Sequence, residues 1–483
     1  MAIQLICLSD LHLGADHSVL TQLDGTQRAS RSLSAFADAF SSLLEHLPVT
    51  KNTRLVLLGD VLDLGFSSLP DVVATFRVFA ETFLSSRGGK KLSPDILFVP
   101  GNHDHQLWQT VKNTYMVRQV VEGMTQDPRE ITHLFNPQHL ESYLLQDILK
   151  SVPGTRDCSV QIAYPNYAVL DDSGQKGVVL HHGHYTESMY LAMSALRQRL
   201  QGRLSLSEDM SEIEKDNGYW VNFLWSSLGS SGFGHTAFNM YETLLDTGAS
   251  HEFIRASGKV IRKFMVESLS LSDNTVQSLE PGLSLEKIID AMLDASVGKF
   301  AGSERLSFGS VLSRDGIVKL KWYLGGPVKN QFLQERVDVP KDLSFVFGHT
   351  HKPFEDRLPI PGFADPVKVF NTGGWAIDKP VVSSVQGAAA VFIDDNCDVG
   401  SLRLFNCSPN GEVTPPHIAG AGSLDDAERP LLRLLEDALS RSTEDWSKFS
   451  AAVSHDVQRN TSRVLDRYFD PASDTGVRIG RAV

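Results

Sequence analysis

The sequence predicts an α/β protein, and three observations carry that prediction. Ile96 to Val99 is an apolar run too short for a helix and without alternation, as expected of a strand covered on both faces. It breaks at Pro100-Gly101 and is followed at once by Asn102-His103-Asp104. The same device recurs four times: Leu5 to Ser9 before Asp10-Leu11-His12, Leu55 to Leu58 before Gly59-Asp60, Val178 to Leu180 before His181-His182-Gly183-His184, and Leu343 to Phe347 before Gly348-His349-Thr350-His351. Between these strands, apolar residues recur at helical spacing. Five strands therefore deliver polar side chains at their carboxyl ends, where open α/β sheets place ligands.

In chain order, Ile3 to Cys7 forms the first strand, and the polar interval from Asp16 to Arg28 is a loop over the site. Leu33, Phe36, Phe40, Leu43, Leu44 and Leu47 predict a helix that covers the sheet and stops at Pro48. The second strand ends at Asp60, with Asp63 three residues on; Asp63 is expected to orient a neighbouring ligand or to cap a turn. Val72, Phe76, Phe79 and Phe83 line a second amphipathic helix, a row that reads as core. Past the third strand, 105–165 is mostly helical by pattern, as at Tyr143, Leu144, Leu145, Ile148 and Leu149. His105 is a candidate for facing the substrate, whereas His133 and His139 read as solvated or capping side chains.

The core is expected to be discontinuous, spanning 1–190 and 336–408, with a mostly helical cap or insertion at 191–335 and a helical appendage at 409–483. Met189, Met193, Leu196 and Leu200 sit at helical spacing in the insertion, ahead of the aromatic stretch Tyr219 to Trp225. These aromatics are expected to fill the insertion's own small core; the functional version is a lid gripping an apolar substrate or touching a membrane surface. Gly234-His235-Thr236 imitates half of the last motif without its second histidine or its strand. Ala389 to Ile393 and Ser401 to Phe405 are expected to complete the second sheet. In the appendage, Ser442 and Asp445 are candidate caps for a helix carrying Trp446, Phe449, Val453 and Val457 on one face.

At 483 residues the chain calls for one large core with insertions, or two to three units. Its 42% hydrophobic and 21% charged composition is that of a globular protein. Acidic residues outnumber basic ones 58 to 45, and the charge of −13 argues against bulk nucleic-acid binding. Cys7, Cys158, Cys397 and Cys407 are scattered, which indicates neither a disulfide scaffold nor a zinc knot. With no signal-peptide pattern at the start and no apolar run of membrane-spanning length, the expected location is cytoplasmic, with peripheral membrane contact as an extension of the lid reading.

The clustered imidazoles, carboxylates and one amide oxygen are donors suited to Mn²⁺, Fe or Zn²⁺ rather than to a soft thiolate site. In their order and content, Asp10-x-His12, Gly59-Asp60, Gly101-Asn102-His103-Asp104, His182-Gly183 and Gly348-His349-x-His351 resemble the motifs of the calcineurin-like metallophosphoesterase family. Val369 to Trp375 resembles the Asn-x-Gly turn that follows them. The resemblance covers motifs spread over residues 3 to 375. It implies a four-layer α+β fold, a two-sheet β-sandwich flanked by helices, here with a helical insertion.

It also implies two divalent ions, with Mn²⁺ favoured and Fe or Zn²⁺ as alternatives. One ion falls to Asp10, His12, Asp60 and His351, the other to Asp60, Asn102, His182 and His349. His349 and His351 would serve different ions because alternate positions on an extended segment diverge. His103 becomes the proton or hydrogen-bond donor at the leaving group, with Asp104 holding its imidazolium; His184 contacts phosphate or a metal ligand, and His181 points to the core. The implied activity is hydrolysis of a phosphomonoester or phosphodiester by attack of a hydroxide shared between two metals, on a small and optionally acylated substrate.

A helical cap is also found in the UDP-diacylglucosamine pyrophosphatase branch, whose third motif has arginine where this chain has His103. A nucleotide-sugar or lipid-linked pyrophosphatase is therefore the alternative. A noncatalytic scaffold on the same fold is the alternative from a different class.

Overall fold

A computed structural model describes residues 1–26, 28–123, 132–135, 140–201, 205–222, 310–335, 338–377, 381–422 and 429–469. The aromatic run beyond Asn222, Gly234-His235-Thr236 and His139 lie outside the described residues.

Strand β1 (Ile3–Leu8) leads into α1 (Arg31–Glu45), whose amino end is capped by Ser30 Oγ accepting from the Leu33 amide at 3.0 Å. Then come β2 (Arg54–Leu57), α2 (Leu69–Phe79) with a π-helical turn at Ala80–Leu84, β3 (Asp95–Phe98), α3 (His105–Val121) and α4 (Tyr143–Ser151). Strands β4 (Ser159–Ile162), β5 (Asn166–Leu170) and β6 (Lys176–His181) precede a long connection. Its described part comprises α5 (Ala192–Leu200), α6 (Met210–Asn222), α7 (Arg314–Tyr323) and α8 (Lys329–Glu335). The chain continues through β7 (Asp342–Phe347), β8 (Phe354–Leu358), β9 (Val367–Asn371), β10 (Gly387–Asp394), β11 (Val399–Asn406) and β12 (His417–Ala419), ending in α9 (Arg429–Arg441) and α10 (Thr443–Phe469).

The strands form a seven-stranded sheet ordered β12-β11-β10-β1-β2-β3-β4 and a five-stranded sheet ordered β5-β6-β7-β9-β8. β1 to β4 run parallel, as do β6, β7 and β9. Alternation within each apolar strand splits its side chains between two hydrophobic layers. Leu5, Cys7, Val56, Leu58, Leu97, Val178, Leu180 and Val346 meet between the sheets, while Ile6, Leu8, Leu57, Phe98, Val179 and Phe345 pack outward under the helices. Both faces are buried, which is why these runs carry no polar alternation.

Two expectations are corrected. β10 and β11 extend the first sheet, not the second: β10 pairs antiparallel with the edge of β1 that β2 leaves open. Ser442 and Asp445 do not cap α10, because the Ser442 hydroxyl donates back to the Ala438 carbonyl at 2.9 Å and Asp445 accepts from Ser42 on α1 at 2.5 Å. The described residues past 409 pack on the core. β12 is the seventh strand of the first sheet, and α10 packs along α1 through Phe449, Val453 and Val457.

Candidate metal centre

The loops that follow β1 and β2 are laced together before any ligand is considered. The Asp10 amide donates to Gly59 O, His12 to Asp60 O and Leu13 to Val61 O, each at 2.9 Å. This lacing holds a backbone that L-residues resist. Asp10, His12, Asp60, His349 and His351 all have left-handed φ, between 46° and 73°, at about 1–3 kcal/mol each. Among the described residues the only other non-glycine with positive φ is Cys397. His349 and His351 thus diverge through two left-handed turns after β7, not through an extended segment as expected.

Glycines let these turns close on one another. Gly59 sits at φ +79°, and a Cβ there would collide with the His182 ring and lie 2.7 Å from the Gly101 amide. Asn371 ties the last two motifs together. Its Nδ2 donates to Gly348 O and its Oδ1 accepts from the Gly373 amide, both at 2.8 Å.

Three groups of donors result, each with ligand atoms within 4.8 Å of one another: Asp10, His12 and His351 in the first, Asp60, His182 and His349 in the second, and His12, Asp60 and His103 in a third that links them. Asn102 joins the second, its Oδ1 3.1 Å from His182 Nε2. Asp60 lies between the first two, with Oδ2 3.3 Å from His182 Nε2 and 3.9 Å from His12 Nε2. In the first group, His12 Nε2 and His351 Nε2 are 3.1 Å apart, and Asp10 Oδ1 is 3.3 Å from His351 Nε2. Donors bound at about 2.0–2.2 Å to one ion stand roughly 3.0–3.5 Å from each other, so the pairs at 3.1–3.3 Å are spaced as ligands of one cation, while His12 and Asp60, at 3.9 Å, stand farther apart. The nitrogen and oxygen donors also match the borderline-to-hard ions expected.

Electrostatics point the same way. Burial opposes the Asp60 carboxylate, yet the His182 and His103 imidazoles hold its pKa well below the usual range. Burial likewise opposes a charged His182, yet Asp60 lifts that ring to about 9. The pocket favours paired opposite charges, the condition under which a cation replaces protons.

His103 is brought to Asp60, with Nε2 3.9 Å from Asp60 Oδ2 and the ring 4.7 Å from that of His12. The expected partner is corrected. Asp104 spends both carboxylate oxygens on backbone: Oδ1 accepts from Gly101 at 2.7 Å, and Oδ2 from Val61 at 2.8 Å and Leu62 at 3.2 Å. Burial, aided by the charge of Asp60, pushes its carboxyl up to about 7. The carboxylate that holds His103 is Asp63, whose Oδ1 is 2.7 Å from Nδ1.

His184 is buried and pairs its Nε2 with Tyr164 Oη at 2.8 Å, rather than facing open space for a phosphate. His181 points to the core as expected, stacked on Tyr185 and tilted against Tyr323. His105 also turns inward, against Tyr164, and does not face a substrate. His133 is half-buried beside Leu134.

Two neighbours of the centre escaped the sequence reading. The His17 ring lies 6.2 Å from that of His12, and Glu187 Oε1 lies 3.1 Å from His349 Nε2. Neither stands in a motif; His17 had only its place in the loop over the site as a signal.

No helix among the described residues is long and apolar enough to cross a membrane. No curated protein matches the sequence. The sequence model of the calcineurin-like phosphoesterases matches residues 3–249, about half of the chain and four of the five strand-end motifs. The fifth, Gly348 to His351, lies outside that match, and the fold returns it to the same centre. This chain belongs to the calcineurin-like phosphoesterase family.

Proposed function

We propose that the protein is a phosphoesterase working with two divalent cations, Mn²⁺ first among them, on a small phosphomonoester or phosphodiester. The observation that carries this reading is the position of Asp60 between two donor groups, one completed by Asp10, His12 and His351 and the other by Asn102, His182 and His349. Divalent ions held there supply Lewis-acid charge that acidifies water and attracts phosphoryl oxygens.

The chain's own residues provide the rest. Asp60 accepts the backbone amide of His103 on Oδ1 at 2.8 Å, which sets the His103 backbone against the shared carboxylate. Asp63 orients the ring through Nδ1, with Nε2 directed to the centre. As water adds to phosphorus and the ester P–O bond breaks, the His103 Nε2 proton passes to the leaving oxygen, giving an alcohol and the phosphate product. Phe66, whose ring lies 5.3 Å from that of His103, shields one side of the imidazole.

The test is hydrolysis of p-nitrophenyl phosphate and bis-p-nitrophenyl phosphate by metal-free protein titrated with Mn²⁺, Zn²⁺ or Fe²⁺. Turnover should appear with metal, disappear with chelator and be lost in Asp60→Asn. The preferred ester assigns the substrate class. A protein that binds two ions and hydrolyses neither ester nor a pyrophosphate contradicts the proposal and favours the scaffold alternative.

A further inference from the structure

We infer that Glu187 is a positioning residue for the second ion: it accepts the Nε2 proton of His349 and so presents Nδ1 of that ring to the metal. The assignment rests on the two-ion reading above. Glu187 Oε1 is 3.1 Å from His349 Nε2, both side chains are buried, and that ring nitrogen makes no aligned hydrogen bond to Glu187 or to any other group, so the carboxylate is the group within reach that a small turn of the ring would engage. An imidazole has two nitrogens, and a carboxylate on one of them fixes the tautomer that leaves the other bare for a cation.

The segment carrying Glu187 is held hard against His349. Gly183, at φ +128°, lets the chain leave β6 so closely that a Cβ there would lie 2.8 Å from the His349 Cβ. Two short 3₁₀ turns follow, His184–Thr186 and Ser188–Leu191, with Glu187 between them. Its amide donates to His184 O at 3.0 Å, and its carbonyl accepts from the Tyr190 amide at 3.2 Å. Tyr190 then sets its ring edge-on to His349 at 5.5 Å, and Trp220 of α6 fastens the second turn by donating Nε1–H to Met189 O at 3.1 Å. The carboxylate is thus placed by the segment that leads from β6 into α5, and α6 braces that segment through Trp220.

The experiment is calorimetric titration of Mn²⁺ into the metal-free full chain, for wild type, Glu187→Ala, Glu187→Gln, Glu187→Asp, His349→Ala and the Glu187→Ala/His349→Ala double variant, with thermal melting as a check of folding. Wild type should take two equivalents. Glu187→Ala should weaken one of them about 10- to 100-fold, the usual effect of removing a partner that orients a metal-binding histidine. Glu187→Gln keeps an acceptor oxygen at the same reach and should stay closer to wild type than Glu187→Asp, whose carboxylate is withdrawn. Adding Glu187→Ala to His349→Ala should cost nothing further.

Unchanged affinity in Glu187→Ala overturns the assignment. So does the reverse order of the Gln and Asp variants, or a full Glu187→Ala penalty in the His349→Ala background, since either means that the carboxylate acts on the cation directly. Wild-type protein that takes fewer than two equivalents instead overturns the two-ion reading on which the assignment stands. Where Glu187→Ala fails to fold, the Gln and Asp pair decides alone.

Discussion

His103 Nδ1 and Asp63 Oδ1 are 2.7 Å apart, a buried pair formed by side chains from the loops after β3 and β2. If Asp63 works only through the ring, its removal acts by misplacing His103. His103→Ala should lower turnover by roughly 10²–10⁴-fold with two ions still bound. Asp63→Asn should lose less, and the double variant no more than His103→Ala alone, because the two act as one unit. Steady-state kinetics with metal analysis checks this; additive losses would separate the pair.

Asp104 should behave differently from its neighbour. Three backbone amides depend on its carboxylate, and leaving a buried N–H unpaired costs about 1–3 kcal/mol. Asp104→Ala should therefore lower stability by several kcal/mol and loosen the loops carrying Asp60 and Asn102. Denaturant unfolding and metal content should fall together in this variant, in contrast to His103→Ala, where turnover falls and metal remains.

Acid should unfold the protein through its buried neutral histidines. Burial, together with Lys112, lowers His105 from 6.5 to about 3, and burial depresses His181 and His184 well below the normal range. In the unfolded chain these rings take up protons near pH 6.5, while in the fold they stay neutral. The contribution of these three rings is therefore complete above about pH 6.5 and is lost as pH falls from there toward 3, by up to about 1.4 kcal/mol per pH unit for each ring. Urea unfolding of metal-free protein between pH 7.5 and 5 should show the slope, and His105→Phe should reduce it. A flat profile would contradict the neutral buried state.

The carboxyl-terminal helices should prove necessary to the centre. The Trp375 amide donates to Asp10 O at 3.1 Å, and its ring packs 5.0 Å from Phe36 and 6.2 Å from Phe449 of α10. Asp456 of the same helix accepts from Ser32 N and Oγ at 3.1 and 2.7 Å, and the Asn460 amide donates to His17 O at 3.0 Å. Ending the chain at residue 428 should expose these rings, at about 1.5–3 kcal/mol each, and reduce solubility and metal retention together. Asp456→Ala alone should cost about 1–3 kcal/mol in unfolding experiments while leaving metal stoichiometry intact.

The amino-acid order already held the strands, their polar ends and the donors of the centre, because each strand-to-ligand transition lies within a few neighbouring residues and its pattern is local. Apolar runs without alternation announced strands buried on both faces, and Phe36, Phe40, Leu43 and Leu44 announced the helix over them. Long-range packing decided what local pattern does not encode. Asp63 rather than Asp104 meets His103 because β2 and β3 set their loops side by side, so proximity along the chain pointed to the wrong carboxylate. β10 and β11 joined the first sheet because β1 offered an open edge, and a strand's own residues do not name the edge it will pair with. Glu187 and α10 reach the centre only through contacts between residues far apart in sequence. The left-handed turns at Asp10, His12, Asp60, His349 and His351 belong there too, since no intrinsic preference of aspartate or histidine pays for five such conformations and only the surrounding hydrogen bonds and packing hold them.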